Sequence, residues 1–426
     1  MRSFGSPLIF GLATIMCGPV YAPAWAQDWT AIKDSLAARG ITPGFVYNLN
    51  MLSDLDGGIK RDTILQGNGY LNLRIDSEKF FGFSGLKIYF SELGTHGPNP
   101  AGVVGDAQGV SNMTVPPGFR TYEGWAQYNF LDNHWSVLVG QYDLGTEFYR
   151  LQTAGLFLNY AFGTGSEFGL SGVEGPSIFP FTALGTRIAY RPTDNFVIRT
   201  AILDGVPLYR PGGAISPFHQ GDGLLLVSEA AWSRRPQPDD PTTQHYRIRI
   251  GRFADVSHYD DKIAVGAWHY TAKFNDLDEF DAQGAPLQHQ GSSGAYLAID
   301  RVLSETPDHK HQIGAFLQLG VSEQQINRFG SYTGGGITAA GLIPSRPDDQ
   351  VGFGVASARN GFSYMQSQQL ISVPVNRAET AIEATYLAKI NDSVAWQPDI
   401  QYIIHPNTDP TVRNALVFQL RLQLGF

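Results

Sequence analysis

Residues Asn414–Phe426, NALVFQLRLQLGF, separate by parity into two faces. Leu416, Phe418, Leu420, Leu422, Leu424 and Phe426 lie on one; Val417, Gln419, Arg421, Gln423 and Gly425 lie on the other. Strict period-2 alternation marks a strand with one apolar and one polar side. The preceding segment divides the same way, with Val394, Trp396, Ile400, Tyr402 and Ile404 opposing Gln397, Asp399, Gln401 and His405. Joined by HPNTDPTVR, the two form a long hairpin. The apolar face turns inward in a soluble sandwich and toward lipid in an outer-membrane barrel.

The start of the chain bears on that choice. Arg2, an apolar run from Pro7 to Val20 and the small residues of APAWA have the form of a secretory signal with cleavage after Ala26. The run is too short for a membrane helix, which needs about 20 apolar residues. Cys17, the one cysteine, falls inside it, so residues 27–426 carry no thiol chemistry. Removing Arg2 with the leader leaves 29 basic against 39 acidic residues, a balance that disfavours nucleic acid as a partner. With 48 Gly, 26 Phe, 19 Tyr and 7 Trp, the composition is that of a β-rich chain with many tight turns. The mean hydropathy of −0.14 is what half-polar strands produce when their two faces are averaged.

Asp28–Arg39, DWTAIKDSLAAR, has helical spacing with Gly40 as its stop, and suits either a capping helix or a plug at a barrel mouth. Strands follow. Extended segments are expected from Phe45 through the SDLDGG turn, around Leu71–Asp76 and Leu86–Ser91, and then at 120–130 and 134–142, the last two joined by LDN. Further segments are expected at 181–191, 196–204, 223–232, 245–253, 262–270, 295–302, 312–320, 351–358 and 377–390. The Gly/Pro-rich excursion from Gly94 to Gly118 has the length of an outer barrel loop. The expected fold is all-β: one domain, residues 27–426, forming a transmembrane antiparallel up-and-down β-barrel of about 16 strands with a short N-terminal helix.

Catalytic patterns are weak. There is no G-x-S-x-G, H-E-x-x-H or Walker lysine, and GTGSEFG at 163–169 misses the dinucleotide spacing. His309 and His311 stand in a polar turn with Asp308 and Lys310, and the pairs Asp239/Asp240, Asp260/Asp261 and Asp348/Asp349 read as solvated loop charge. No catalytic residue, metal site or cofactor is expected.

EATYLAKINDSVAWQPDIQYIIHP followed by NALVFQLRLQLGF resembles the carbohydrate-selective porin family of OprB type. LAARGI with its DGG turn, EGWAQYNF, VGQYDLGTEF, GLFLNYAFG and FPFTALGTRIAYRPTDNFVIRTAILDG are similar to that family in the same order, so the resemblance covers roughly Asp28 to Phe426. The Gly-rich stretch from Arg328 to Pro347 departs from it and carries no strand expectation. The resemblance implies passive passage of small sugars such as glucose across a bacterial outer membrane. It also implies contact with outer-membrane lipids, a monomer or homotrimer, and handover to the barrel-assembly machinery through Phe426. An outer-membrane barrel enzyme and a soluble periplasmic β-sandwich or lectin stand as alternatives.

A sugar offers hydroxyls that pair with polar groups and a C–H face that packs on rings. Parity on the polar faces nominates Arg74, Glu123, Trp125, Gln127, Arg187, Arg199, Arg247, Arg249, Glu383, Asp399 and Arg421 as pore-lining contacts, with Tyr122, Ala126 and Tyr128 on the side opposite Trp125.

Overall fold

The computed structural model describes residues 24–207, 217–236, 248–249, 252–253 and 259–425. Helix α1 (Ala24–Ala38) ends at Gly40, whose φ of +82° is reached cheaply only without a side chain. Residues 31–38 stay largely exposed, with Ile32 at 48%, so the helix leans on the barrel rather than filling it. The first strands are β1 (Ile41–Gly58), β2 (Thr63–Asp76), β3 (Leu86–His96), β4 (Gly118–Phe130) and β5 (Trp135–Tyr142). Next come β6 (Ala183–Thr193), β7 (Phe196–Asp204), β8 (Leu224–Ser233), and the two-residue strands β9 (Ile248–Arg249) and β10 (Arg252–Phe253). The series continues with β11 (Lys262–Phe280), β12 (Pro286–Glu305), β13 (Gln312–Ser322) and β14 (Phe329–Ala340). It ends with β15 (Gln350–Asn360), β16 (Ala378–Asn391), β17 (Val394–Ile404) and β18 (Arg413–Gly425).

Sixteen of these close into one antiparallel barrel in chain order, and β9 and β10 pair only with each other. Closure is made by β1 against β18, in register from Val46 opposite Gly425 to Asp54 opposite Val417. Every strand thereby has two partners, so no barrel edge is left for lipid to face.

The count of sixteen is reached by a different set of strands from the one expected. The segment 245–253 lies mostly outside the described residues, and its described part is the small ladder outside the barrel. The missing strand is β14, FGSYTGGGITAA, in the stretch without a strand expectation. Its alternation is erased by Gly334 and Gly336. Their lumen-side space is occupied by neighbouring rings: a Cβ on Gly336 would lie 2.6 Å from Phe316, and one on Gly334 would meet the Tyr332 hydroxyl.

The molecule is inverted relative to a soluble fold. Gln401, Gln419, Glu383 and Arg187 are fully buried inside, while Leu71, Val139, Val265 and Phe353 are each more than half exposed outside. An apolar outer wall on a closed barrel excludes the soluble sandwich, which would place these residues in its core. Near the end with the tight LDN turn, a chain of rings runs Tyr128–Phe130–Trp135–Tyr190 with centroids 5.8, 6.5 and 4.5 Å apart. Such a girdle sits at headgroup level. Among the described residues no helix is long and apolar enough to cross a membrane.

Two segments from the opposite end fold back into the lumen. Residues 97–117 join β3 to β4, and residues 143–182 join β5 to β6. Leu156, Phe157, Leu158 and Phe162 of the second are buried inside the barrel, where Phe162 and Phe157 pack on Phe316 of β13.

Candidate functional site

Beside these segments lies a cavity of about 320 Å³ against the inner wall of β1–β4. One side carries Asn48, Asn68, Tyr70, Asn72, Tyr89 and Ser91 from β1–β3. The other is built by Asn112 and Met113 from the first inserted segment and by Thr146, Arg150, Phe157, Tyr160 and Phe179 from the second. Arg421 and Gln423 of β18 complete it. Its size falls at the small end of ligand sites, roughly 300–1,000 Å³. The polar lining is ordered before any solute enters. The amide of Asn48 donates to Asn68 at 2.9 Å, and Asn72 Oδ1 accepts from Tyr89 at 2.9 Å and from Ser91 at 2.8 Å.

Tyr122 also lines this cavity, against its expected place on the lipid side. A β-bulge explains it. Ser91 pairs with Glu123 and Glu92 with Thr121, which leaves Tyr122 as the extra residue turned inward, its hydroxyl on Asp143.

Of the residues nominated by parity, Arg421 reaches the cavity, with Nη1 donating to Asn112 Oδ1 at 2.8 Å and Nη2 to Ser111 Oγ at 3.5 Å. Trp125 is 4% exposed and lies behind Tyr89, centroids 5.3 Å apart, donating through Nε1 to Glu123 at 3.2 Å. Glu123 also accepts from Asp143 N at 3.2 Å. Arg187, with no exposed surface, donates to Glu147 at 2.9 and 3.2 Å and to Gln127 at 2.8 Å. Arg199 stands 3.3 Å from Glu147 and 3.6 Å from Glu229. Glu383 accepts from the backbone of Leu158 at 2.5 Å and of Asn159 at 2.9 Å. Asp399 accepts from Gln401 at 3.0 Å. Arg74 is half-buried on the inner face, opposite Thr42 and Tyr89, and does not line the cavity. Arg247 is outside the described residues; Arg249 belongs to β9, off the barrel.

Parity therefore found the inner face, and most of what it found holds the inserted segments. Buried backbone amides need acceptors, and carboxylates projecting from the wall provide them. Glu229 accepts from Tyr149 N at 2.8 Å, Asp300 from Gln152 N at 2.5 Å, and Glu379 from Ala107 N and Gln108 N, both at 2.8 Å. Wall glutamines donate to loop carbonyls in turn: Gln397 to Leu156 at 2.8 Å, Gln401 to Val110 at 3.0 Å and Gln419 to Val110 at 2.8 Å. In the second segment, burial by itself would raise the Glu147 carboxyl, but Arg187 and Arg199 outweigh it and hold the group below the ordinary glutamate value. Glu167, in the short helix Ser166–Gly169, is pushed up to about 7 by burial.

The asparagines and Tyr70 had a sequence signal. NLN on β1 and NGYLN on β2 alternate with the same parity as their charged neighbours. Arg150, Tyr160 and Phe179 had no parity signal, because they sit on a segment without period, although Tyr160 and Phe179 fall in stretches that resemble the family. Among the described residues no group of three or more His, Cys, Asp or Glu could hold a metal ion.

Known proteins agree with this architecture. A 21% identical structure described as the high pH structure of Pseudomonas putida OprB superposes with a TM-score of 0.81, covering 94% of this chain and 97% of that one. Porin B of Pseudomonas aeruginosa is 22% identical, with 94% of this chain and 90% of the relative aligned. The putative porin QuiX of Acinetobacter baylyi is 20% identical, with 94% of each aligned. The profile of the family described as "Carbohydrate-selective porin, OprB family" matches residues 60–426. An outer-membrane barrel narrowed by two infolded segments, matched by that profile over most of its length, belongs to the carbohydrate-selective porin family.

Proposed function

We propose that this porin passes single small sugars such as glucose through the cavity beside β1–β4, holding each between an amide wall and aromatic rings, with no covalent chemistry. The observation that carries this reading is the lining itself. Asn48, Asn68, Asn72 and Asn112 offer both donors and acceptors to hydroxyls, while Tyr70, Tyr160 and Phe179 offer faces for C–H packing. Arg150 and Arg421 supply charged donors. Weak multiple contacts of this kind permit entry and release, which conduction requires. Arg421 keeps the direct role its parity suggested. Glu123, Trp125, Gln127, Arg187, Arg199, Glu383 and Asp399 act by shaping the wall and holding the inserted segments.

The rest of the reading follows the chain's ends and outer surface. Cleavage after Ala26 yields the mature protein, Phe426 is the handle for barrel assembly, and the apolar outer wall meets outer-membrane lipid. One barrel carries a whole pathway, so monomer and homotrimer are equally able to conduct.

Single-channel current against glucose concentration in a planar bilayer tests the reading. Tyr160→Ala and Arg150→Ala should weaken glucose block while the channel stays open. Wild-type block in both would reject this cavity as the sugar path.

A further inference from the structure

Arg150 reaches the cavity from a backbone that is clamped from outside. On one side Tyr149 N donates to Glu229 Oε2 at 2.8 Å, and the Tyr149 ring stacks on Tyr296 with centroids 4.0 Å apart and planes 6° from parallel. The Tyr296 hydroxyl donates to the same Glu229 oxygen at 2.9 Å. On the other side Lys262 Nζ donates to the carbonyl of Arg150 itself at 2.8 Å and stands 3.8 Å from Glu229 Oε1. Two residues further on, Gln152 N is held by Asp300, which faces Lys262 directly across the β11–β12 ladder. Glu229, Lys262 and Asp300 come from three adjacent strands, and none of them lines the cavity.

We propose that Glu229, assisted by Lys262, is a positioning residue that sets where the Arg150 guanidinium stands in the constriction. Part of the pore's selectivity is then written in wall residues that never meet the permeating sugar. The physical reason is that Tyr149 N is buried and must keep an acceptor. The loop backbone therefore follows the carboxylate, and the next residue follows the backbone. A constellation held this way loses function through displacements of about 1 Å. The inference rests on the reading of Arg150 as a constriction residue.

The sign of the effect on ion selectivity separates positioning from simple electrostatics. Removing a wall carboxylate acts, through its field alone, to favour anions. Withdrawing Arg150 from the constriction favours cations. The experiment measures reversal potential in a salt gradient and glucose block, on heat-modifiable full-length barrels of R150A, E229Q, K262M and E229Q/R150A. R150A should shift selectivity toward cations and weaken block. E229Q and K262M should move both readouts the same way by about twofold or more, less than R150A does. Adding E229Q to R150A should change neither further. A shift toward anions in E229Q, an effect additive with R150A, or wild-type behaviour in both wall variants would overturn the proposal. R150A indistinguishable from wild type would remove the Arg150 reading and this inference with it. Should E229Q fail to yield a heat-modifiable barrel, K262M/R150A replaces E229Q/R150A: loss of the Lys262 charge by itself also favours cations, so positioning is then read from non-additivity with R150A, and an additive effect overturns the proposal.

Discussion

The inner walls of β1–β3 and of β6–β8 follow one alternating rule and serve opposite ends. On the first, Asn48, Asn68, Tyr70 and Asn72 face open space. On the second, Arg187, Arg199 and Glu229 are covered by the segment 143–182 and their charges meet Glu147 and Tyr149 N. Where a loop lies on the wall, charge is needed to satisfy its backbone and its acidic side chains in a dry interface. Where no loop lies, neutral amides suffice, and a solute can compete for them. The asymmetric filling and this difference in wall chemistry go together, and they leave one flank of the lumen open.

The sharpest way to break this contrast is to remove a charge from the covered flank. Arg187→Ala leaves Glu147 buried with Arg199 as its remaining cation and the Tyr142 hydroxyl as a donor, and should destabilise the folded barrel by about 3–5 kcal/mol. Temperature-dependent loss of the heat-modifiable band measures it. A shift no larger than that of an Asn48→Leu control would mean the two flanks are energetically alike.

Glu167 adds a pH test on the covered flank. Its carboxyl is packed against Gly165, Gly320 and Tyr149, so closely that a side chain at position 320 would collide with it. With its pKa raised from 4.5 to about 7, the seated loop is favoured when the group is protonated. The contribution of Glu167 to stability is greatest below pH 4.5, falls as pH rises from there through about 7, and is lost above. The full difference is on the order of 3 kcal/mol. Denaturant unfolding of wild type and Glu167→Gln from pH 4 to 9 checks it, and an equal slope in both would remove the assignment.

Gln401→Leu and Asn48→Leu compare like with like. The first takes the acceptor from the Asn159 amide and one of two donors from Val110 O, which keeps Gln419, and should cost about 1–3 kcal/mol while sugar block changes only with the loop. The second should cost less and weaken glucose block directly. Thermal stability and block, measured on both, must move in opposite rank. The smallest expected effect is Tyr70→Ala, a loss of about 0.5–1.5 kcal/mol in sugar affinity if ring packing there resembles other aromatic contacts. A concentration series of glucose block reads it.

Much of the barrel is legible in the residue order. Leu416, Phe418, Leu420, Leu422 and Leu424 point outward, and Gln419, Arg421, Gln397 and Gln401 point inward, because a strand's side-chain period is two and one wall must face lipid. Two local failures have local causes. β14 was hidden by glycines that yield lumen space to Tyr332 and Phe316, and Tyr122 was misplaced because one bulge shifts parity by one residue.

What the chain determined by itself was strand parity and the terminal hairpin, which follow from residue order; that the apolar faces turn outward was decided by closure of the barrel. What only the tertiary structure decided was which inward residues meet the permeant. Parity records on which side of a wall a group lies. Whether water or a folded segment lies beyond it depends on contacts between positions hundreds of residues apart, such as Glu383 with Asn159 and Arg421 with Asn112. No period in the sequence encodes these, because they are made by the path of a loop and not by the repeat of a strand.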